Sequence, residues 1–393
     1  MRVAYKCIKK VKGKLNKIES YELIDELNNT YVYDTDTLRE LIHSGRIDVL
    51  NLKLSKAGAI INKKFEDTNK LFDTDSKFQL SKTVIDRISN EIDLTNKVIK
   101  FKSVKILDNY ILKCDYNNYT IKKLYKNLYA VLNKSNTVNI VTDKPFEISG
   151  KNGEYLFYCC KAKEINLEEV VTKRMTSMNY MFSHAMISDI NLKSLSLNNV
   201  TSMDYTFENC KNIESIDMSL INLQALRSLN NTFSNSAIKK VNMRNTYSLN
   251  LESMNSTFEN CKDLREIDFE NFATYSVKSF KYTFCGCISL RELDLTSFTT
   301  LSLETVNHMF SGCTMLTSIK LDNFTTTKVG NFNAMFENCS NLIDVKLDHF
   351  DFSGTEKIPK AMFRNCLKLY TYLETSKNKT VREMAPQASK VSF

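Results

Sequence analysis

The apolar positions of this chain recur with a long period as well as a short one. A phenylalanine stands at Phe157, Phe182, Phe207, Phe233, Phe258, Phe284, Phe310, Phe336 and Phe363, in steps of 25 to 27 residues. Self-similarity at such a period marks an array of stacked units, because a unit this short cannot bury its apolar face alone. Within the unit, Leu290, Leu293 and Leu295 take the spacing L-x-x-L-x-L. It repeats as Ile213/Ile216/Met218, Leu264/Ile267/Phe269, Leu316/Ile319/Leu321 and Leu342/Val345/Leu347. The last two members of each set alternate with polar residues, which predicts a short strand with one buried face. A second buried phenylalanine follows at Phe272, Phe298, Phe324 and Phe350.

Ahead of each marker phenylalanine the spacing changes. Val200 and Met203, Leu226 and Leu229, Leu251 and Met254, Val277 and Phe280, and Leu303 and Val306 form i, i+3 pairs. That step predicts one or two turns of helix on the outer edge of each coil. The turn closes on Asn209, Asn260, Gly286, Gly312, Asn338 or Asn365, residue types that tolerate a positive φ. A cysteine then follows at Cys210, Cys261, Cys287, Cys313, Cys339 and Cys366, whereas Ala185 and Ser236 take the place after Phe182 and Phe233. Interchange of Cys, Ala and Ser calls for a small buried side chain rather than a metal ligand or a disulfide.

The unit F-x-[NG]-C-x-x-L-x-x-L-x-L-x-x-F, with its M-F or T-F turn, resembles the BspA-like leucine-rich repeats of bacterial surface proteins. It is similar as well to the related surface-protein repeats of mycoplasmas. The resemblance runs from about residue 155 to 372. It implies an α/β repeat, a leucine-rich-repeat-type solenoid of about nine coils. The implied role is adhesion or protein binding, with no catalytic residues to carry over.

The remaining chain reads as small α/β modules ahead of the solenoid. Residues 1–65 form a basic module: strands at Arg2–Val11, Tyr21–Ile24 and Tyr31–Tyr33, a helix at Thr37–His43, and a strand over Ile47–Leu54. Residues 66–150 form a second module that can cap the first coil. It holds an amphipathic helix at Leu80–Ile92, and strands that flank a helix near Thr120–Leu132. Tyr110–Tyr119 echoes Tyr21–Thr30, as a duplication would. The solenoid spans 151–375, closed by a strand near Leu369–Leu373, and 376–393 reads as a flexible tail.

Composition adds limits. Apolar residues make up 42% and charged residues 25%, ordinary globular values, and the formal net charge is +9. Part of the excess sits in Arg2, Lys6, Lys9, Lys10, Lys12, Lys14 and Lys17, with no acid before Glu19. Such a strand can be a solvated edge that lysines protect from aggregation, or a contact for nucleic-acid phosphates. Cysteines without paired spacing, no apolar signal stretch and no run of membrane-spanning length predict a cytoplasmic protein. Surface display would need another export route.

No histidine pairs with another histidine or cysteine in a metal spacing, and no phosphate-cradling glycine loop or nucleophile elbow is present. The expectation is therefore no enzyme, no cofactor and no metal. What remains is the outward positions of the stacked strands, in columns about 4.8 Å apart from coil to coil. One column reads Asn191, Asp217, Asn242, Asp268, Asp294, Lys320 and Lys346. Its neighbour reads Asp189, Ser215, Lys240, Glu266, Glu292, Ser318 and Asp344. Glu266, Asp268, Glu292, Asp294, Lys320, Lys346, Lys239 and Lys240 are the candidate contacts for a protein partner, chosen by electrostatic complementarity. The alternatives are a surface adhesin and a nucleic-acid-associated protein working through the basic N-terminal strand.

Overall fold

The computed structural model describes residues 77–388, apart from 106, 108–109, 112–113, 115–118, 126 and 356. Of the first 76 residues it describes the backbone of five strands. The chain divides into two units. One holds Met1–Gln79, Lys102–Ser135 and Asn139–Pro145; the other holds Leu80–Phe101, Asn136–Val138 and Phe146–Phe393. The expected 66–150 module is thus shared between the two, and the helix expected at Thr37–His43 lies outside the described residues.

In the first unit, strand Val3–Leu15 pairs antiparallel with Ile18–Asp25, which pairs in turn with Thr30–Asp34. On its other side Val3–Leu15 pairs parallel with Ile47–Asp48 and Lys53–Leu54. The start of the basic strand, Val3–Ala4 and Cys7–Ile8, is therefore paired on both sides; among the described residues, the lysine-bearing stretch Lys9–Leu15 has strand pairing on the Ile18–Asp25 side only. Composition could not reveal the second neighbour, because it is a segment that returns from further along the chain.

The helix expected near Thr120–Leu132 is a hairpin instead, Tyr119–Tyr125 against Leu128–Asn133. Alternation decides it. Tyr129 and Val131 are buried with Leu107, Ile111 and Val141, and Tyr119 and Ile121 pack on the same cluster. A period of two sets one strand face, where a helix would need 3.6. The echo between Tyr110–Tyr119 and Tyr21–Thr30 is not structural either, since Tyr110 and Ile111 are helical and Tyr21–Ile24 is strand.

In the second unit, helix Lys82–Glu91 buries Val84, Ile85 and Ile88, as the apolar spacing predicts. Strand Val98–Ser103 pairs through Val98–Lys100 with Glu164–Asn166, and Phe146–Glu147 pairs with Val170–Val171. The repeats then run as short parallel strands. Ser215–Asp217, Lys240–Asn242 and Glu266–Asp268 form one sheet; Glu292–Asp294, Ser318–Lys320 and Asp344–Val345 form another.

The short outer helices do not form. Each i, i+3 segment makes one parallel bridge, Ser202 to Ser228 to Ser253 to Ser279 for example, and then turns tightly around its phenylalanine. Residues two before and two after the phenylalanine have positive φ in every repeat, from Tyr155 and Cys159 to Ala361 and Asn365. Alternate N–H groups leave the turn for the next rung: Tyr155 N to Asn179 O (2.9 Å), Phe157 N to Met181 O (2.8 Å), Cys159 N to Ser183 O (3.0 Å). Those between bond within the turn, as Tyr158 N does to Tyr155 O (3.0 Å). A helix would direct all these groups along its own axis and leave the adjoining rungs unbonded.

The core is a set of ladders. Successive marker phenylalanines stack nearly parallel, from 5.3 Å for Phe182–Phe207 to 5.8 Å for Phe336–Phe363. Phe101 covers the first of them at 6.2 Å from Phe157. The buried Thr206 hydroxyl lies 2.6 Å from Met203 O and 3.0 Å from Met178 O, and Thr232 and Thr257 repeat the arrangement one rung on. Each ladder cysteine donates its thiol to the marker carbonyl one rung back, as Cys313 does to Phe284 O (3.1 Å) and Cys339 to Phe310 O (3.1 Å).

At the far end, the segment expected as a strand is the helix Tyr370–Thr375. The expected tail is ordered through helix Lys379–Glu383 and a 3-10 turn, Ala385–Ala388. Side chains here do what a further rung's backbone would do. The Tyr372 hydroxyl accepts from Leu347 N (2.8 Å), Asn378 Nδ2 donates to Phe350 O (2.7 Å), and Gln387 Nε2 donates to Pro359 O (2.9 Å).

Candidate partner-binding surfaces

The strand face places the expected contacts in register. Lys240 stands opposite Glu266, and Asn242 opposite Asp268; in the second sheet Glu292 stands opposite Ser318, and Asp294 opposite Lys320. Most are engaged between rungs. Lys239 Nζ lies 2.6 Å from Glu214, Lys240 Nζ 2.7 Å from Glu266, and Lys320 Nζ 2.8 Å from Asp294; Arg244 reaches Glu270 (2.5 Å) and Asp268 (4.0 Å). Glu292 is exposed on its strand, and Lys346 is exposed just beyond the strand Asp344–Val345.

One column has a structural task. Asp217, Asn242, Asp268 and Asp294 each accept, through Oδ1, the backbone N–H two residues on, closing the turn after the strand at 2.9–3.1 Å. Partial burial acts to raise the Asp294 carboxyl, but the Lys320 and Thr296 hydrogen bonds outweigh it and hold its pKa below the ordinary value. Asn191 closes the same kind of turn at Lys193 N (3.1 Å).

The columns are also interrupted. Among the described residues, no strand pairing joins Glu266–Asp268 to Glu292–Asp294, although Phe258 and Phe284 stack at 5.5 Å in the same two rungs. Both rungs carry carboxylates at both outward positions, Glu266 and Asp268 in one and Glu292 and Asp294 in the next. Phe269 stands where the neighbouring rungs carry Met243 and Leu295, its ring 6.3 Å from both Phe258 and Phe284. Like charges outside and a larger side chain inside both act against strand pairing at that step. The four carboxylates thus flank a break between two sheets.

Of the basic residues, Lys6, Lys9, Lys10, Lys12 and Lys14 fall on strand Val3–Leu15, but their side chains lie outside the described residues, as do Arg2 and Lys17. Among the described residues, no cluster of His, Cys, Asp and Glu could hold a metal, and no helix is long and apolar enough to cross a membrane.

A second surface, on the turns, is not among the contacts that the strand spacing predicts. Tyr155, Tyr180 and Tyr205 each stand two residues before a marker phenylalanine. Their rings stack at 4.6 and 4.5 Å, within 4° of parallel. Tyr158 meets Tyr155 edge-on at 5.7 Å, and His184 lies 5.6 Å from Tyr158. Tyr155 is 44% exposed. Burial, then the neighbouring Tyr205 and Tyr155 and the Glu208 and Asp204 carboxylates, push the Tyr180 hydroxyl up to about 12. The signal was present as a tyrosine recurring at the repeat period.

A family model described as "Mycoplasma protein of unknown function, DUF285" matches residues 151–246 and 252–376, more than half of the chain. The chain belongs to this family. The match begins and ends where the phenylalanine period does, which bears out the mycoplasma side of the resemblance. The chain is similar to a leucine-rich repeat protein from Eubacterium ventriosum of known crystal structure. Identity is 16%, the likeness covers 67% of this chain and 92% of that one, and the TM-score is 0.26. Among curated proteins no match is found.

Proposed function

We propose that the repeats of this DUF285 protein build one leucine-rich-repeat-type solenoid of nine coils, and that the chain is a non-catalytic protein-interaction module. The strand face holds the partner. The observation that carries this reading is the register of the outward charges, with Lys240 opposite Glu266 and Asp294 opposite Lys320 in short parallel strands. Each rung offers one row of side chains, so contacts accumulate along the array. The inter-rung ion pairs do not remove these residues from use. Exposed pairs of this kind contribute about 0–1 kcal/mol each, so a partner can displace them at little cost to the fold.

The test is charge reversal at Glu266 and Glu292, which close no backbone turn. Recovery of a defined partner from lysate should fall sharply for Glu266→Lys/Glu292→Lys, with the unfolding temperature nearly unchanged. Undiminished recovery would move the interface off the strand face.

A further inference from the structure

The turn edge of the first three rungs is a second surface, independent of the strand face. It carries Tyr155, Tyr158, Tyr180, His184 and Tyr205, flanked by Glu154, Asp204 and Glu208. From three residues before to two after each of these marker phenylalanines there is no lysine or arginine. Asp204 is held by Asn230 N (2.8 Å) and Glu208 by the Ser183 hydroxyl (3.1 Å).

Further along the same edge, the protein supplies its own cations. Lys281 Nζ stands over the Tyr282 ring at 5.4 Å, Tyr282 stacks on His308 at 4.7 Å, and Arg364 pairs with Glu337. Tyr282 and His308 occupy the tyrosine column, and Glu337 occupies the place of Glu208. Aromatic rings beside carboxylates are thus matched with cations in the later rungs. Among the described residues, no lysine or arginine is ion-paired with Asp204 or Glu208 in the early ones.

We propose that this early turn edge is a docking strip for an extended, arginine-bearing segment of a protein partner. A guanidinium can lie against the exposed Tyr155 ring at the end of the stack and fork onto a neighbouring carboxylate, so one side chain satisfies both features of the strip. Two residues of an extended peptide advance about 6.6 Å against a ring spacing of 4.5–4.6 Å, so one or two arginines, not one per rung, engage the strip. Nucleic acid is the wrong partner, because the flanking carboxylates repel phosphates.

The repeats themselves supply substitutions that the fold accepts. Asn231 stands at the tyrosine position, Asn230 at the Asp204 position and Ser234 at the Glu208 position. Binding of a labelled peptide alternating arginine and serine would be measured by fluorescence anisotropy on the full chain, at low and physiological salt. Lysine–serine and single-stranded DNA probes run beside it. Micromolar binding of the arginine peptide, weaker binding of the lysine peptide, and a loss of about tenfold or more support the proposal. That loss is expected both for Tyr155→Asn/Tyr180→Asn/Tyr205→Asn and for Asp204→Asn/Glu208→Ser, with unfolding temperatures preserved. No binding at low salt, equal binding by both edge variants, or tighter binding of DNA overturns it. Glu266→Lys/Glu292→Lys should bind the peptide like the parent chain. If that variant alone loses the peptide, the cation site is the strand face, and the turn-edge proposal fails while the strand-face reading stands.

Discussion

Asn260 lays its side-chain oxygen across Gly286, the equivalent position one rung on: a Cβ built on Gly286 would meet Asn260 Oδ1 at 2.4 Å. Gly286 also has a φ of +73°. Two separate constraints therefore fall on one glycine, left-handed backbone and the close approach of a neighbour's side chain.

Gly312 separates the two. Its φ is +76°, but a Cβ there would meet nothing nearer than 3.6 Å. Gly312→Ala should cost about 1 kcal/mol, the backbone contribution alone. Gly286→Ala should cost about 1–2 kcal/mol more, and Asn260→Ser should recover much of that excess. Urea unfolding of the three variants checks the difference; equal costs would show that the Asn260 side chain simply rotates away.

Alkaline stability should be set by the thiol ladder. Burial pushes Cys210, Cys261 and Cys366 up to about 12, and raises Cys287 and Cys339 well above the ordinary thiol value. The unfolded chain releases these protons near pH 9, and the folded chain keeps them. The stabilisation is thus complete below pH 9 and is lost between about pH 9 and 12, at up to about 1.4 kcal/mol per pH unit for each thiol. Replacing Cys210, Cys261 and Cys366 by serine should flatten the fall in unfolding temperature above pH 9. Native alkylation at pH 8 should label the exposed Cys159 and spare the ladder thiols.

Glu147 is buried on the strand that opens the repeats, and Arg174 holds it with two parallel hydrogen bonds of 3.0 and 2.5 Å. Arg174→Ala leaves a carboxylate in the interior without its guanidinium. The expected loss is about 3 kcal/mol, at the low end for a broken buried pair because the arginine is half-exposed. Chemical denaturation reads it directly, and Glu147→Gln in the Arg174→Ala background should restore part of it.

The C-terminal cap should respond to a single atom. Tyr372→Phe keeps the ring and removes the oxygen that accepts from Leu347 N. About 1–2 kcal/mol should be lost, and exchange of the Leu347 amide should accelerate, as hydrogen-exchange mass spectrometry can follow. An unchanged amide would mean that another acceptor takes the place of the Tyr372 hydroxyl.

Much of the fold is legible in the sequence alone. The period of Phe157 to Phe363 placed the stacked core, and L-x-x-L-x-L placed the strands. Interchange of Cys, Ala and Ser marked a small buried site, where the structure adds the thiol-to-carbonyl hydrogen bond. The helix Lys82–Glu91 was read from Val84, Ile85 and Ile88. The candidate surfaces are less legible. The spacing marks Asp268 and Asp294 as candidate partner contacts without showing that they also close backbone turns, and the tyrosine column at Tyr155, Tyr180 and Tyr205 is a surface only once the turns are stacked.

The sequence by itself determined which side chains are buried and at what interval, because burial of apolar surface is written residue by residue at a fixed period. Tertiary structure decided where the backbone hydrogen bonds go. The i, i+3 pairs before each phenylalanine fit a helix equally well, until the next rung offers carbonyls that alternate N–H groups can reach. In the same way the start of the basic strand Val3–Leu15 gained a second partner from a distant segment, and the break between Asp268 and Asp294 arose only when two carboxylate-bearing rungs and Phe269 were stacked. These outcomes depend on neighbours about 25 or more residues away, and local pattern carries no record of what those neighbours present.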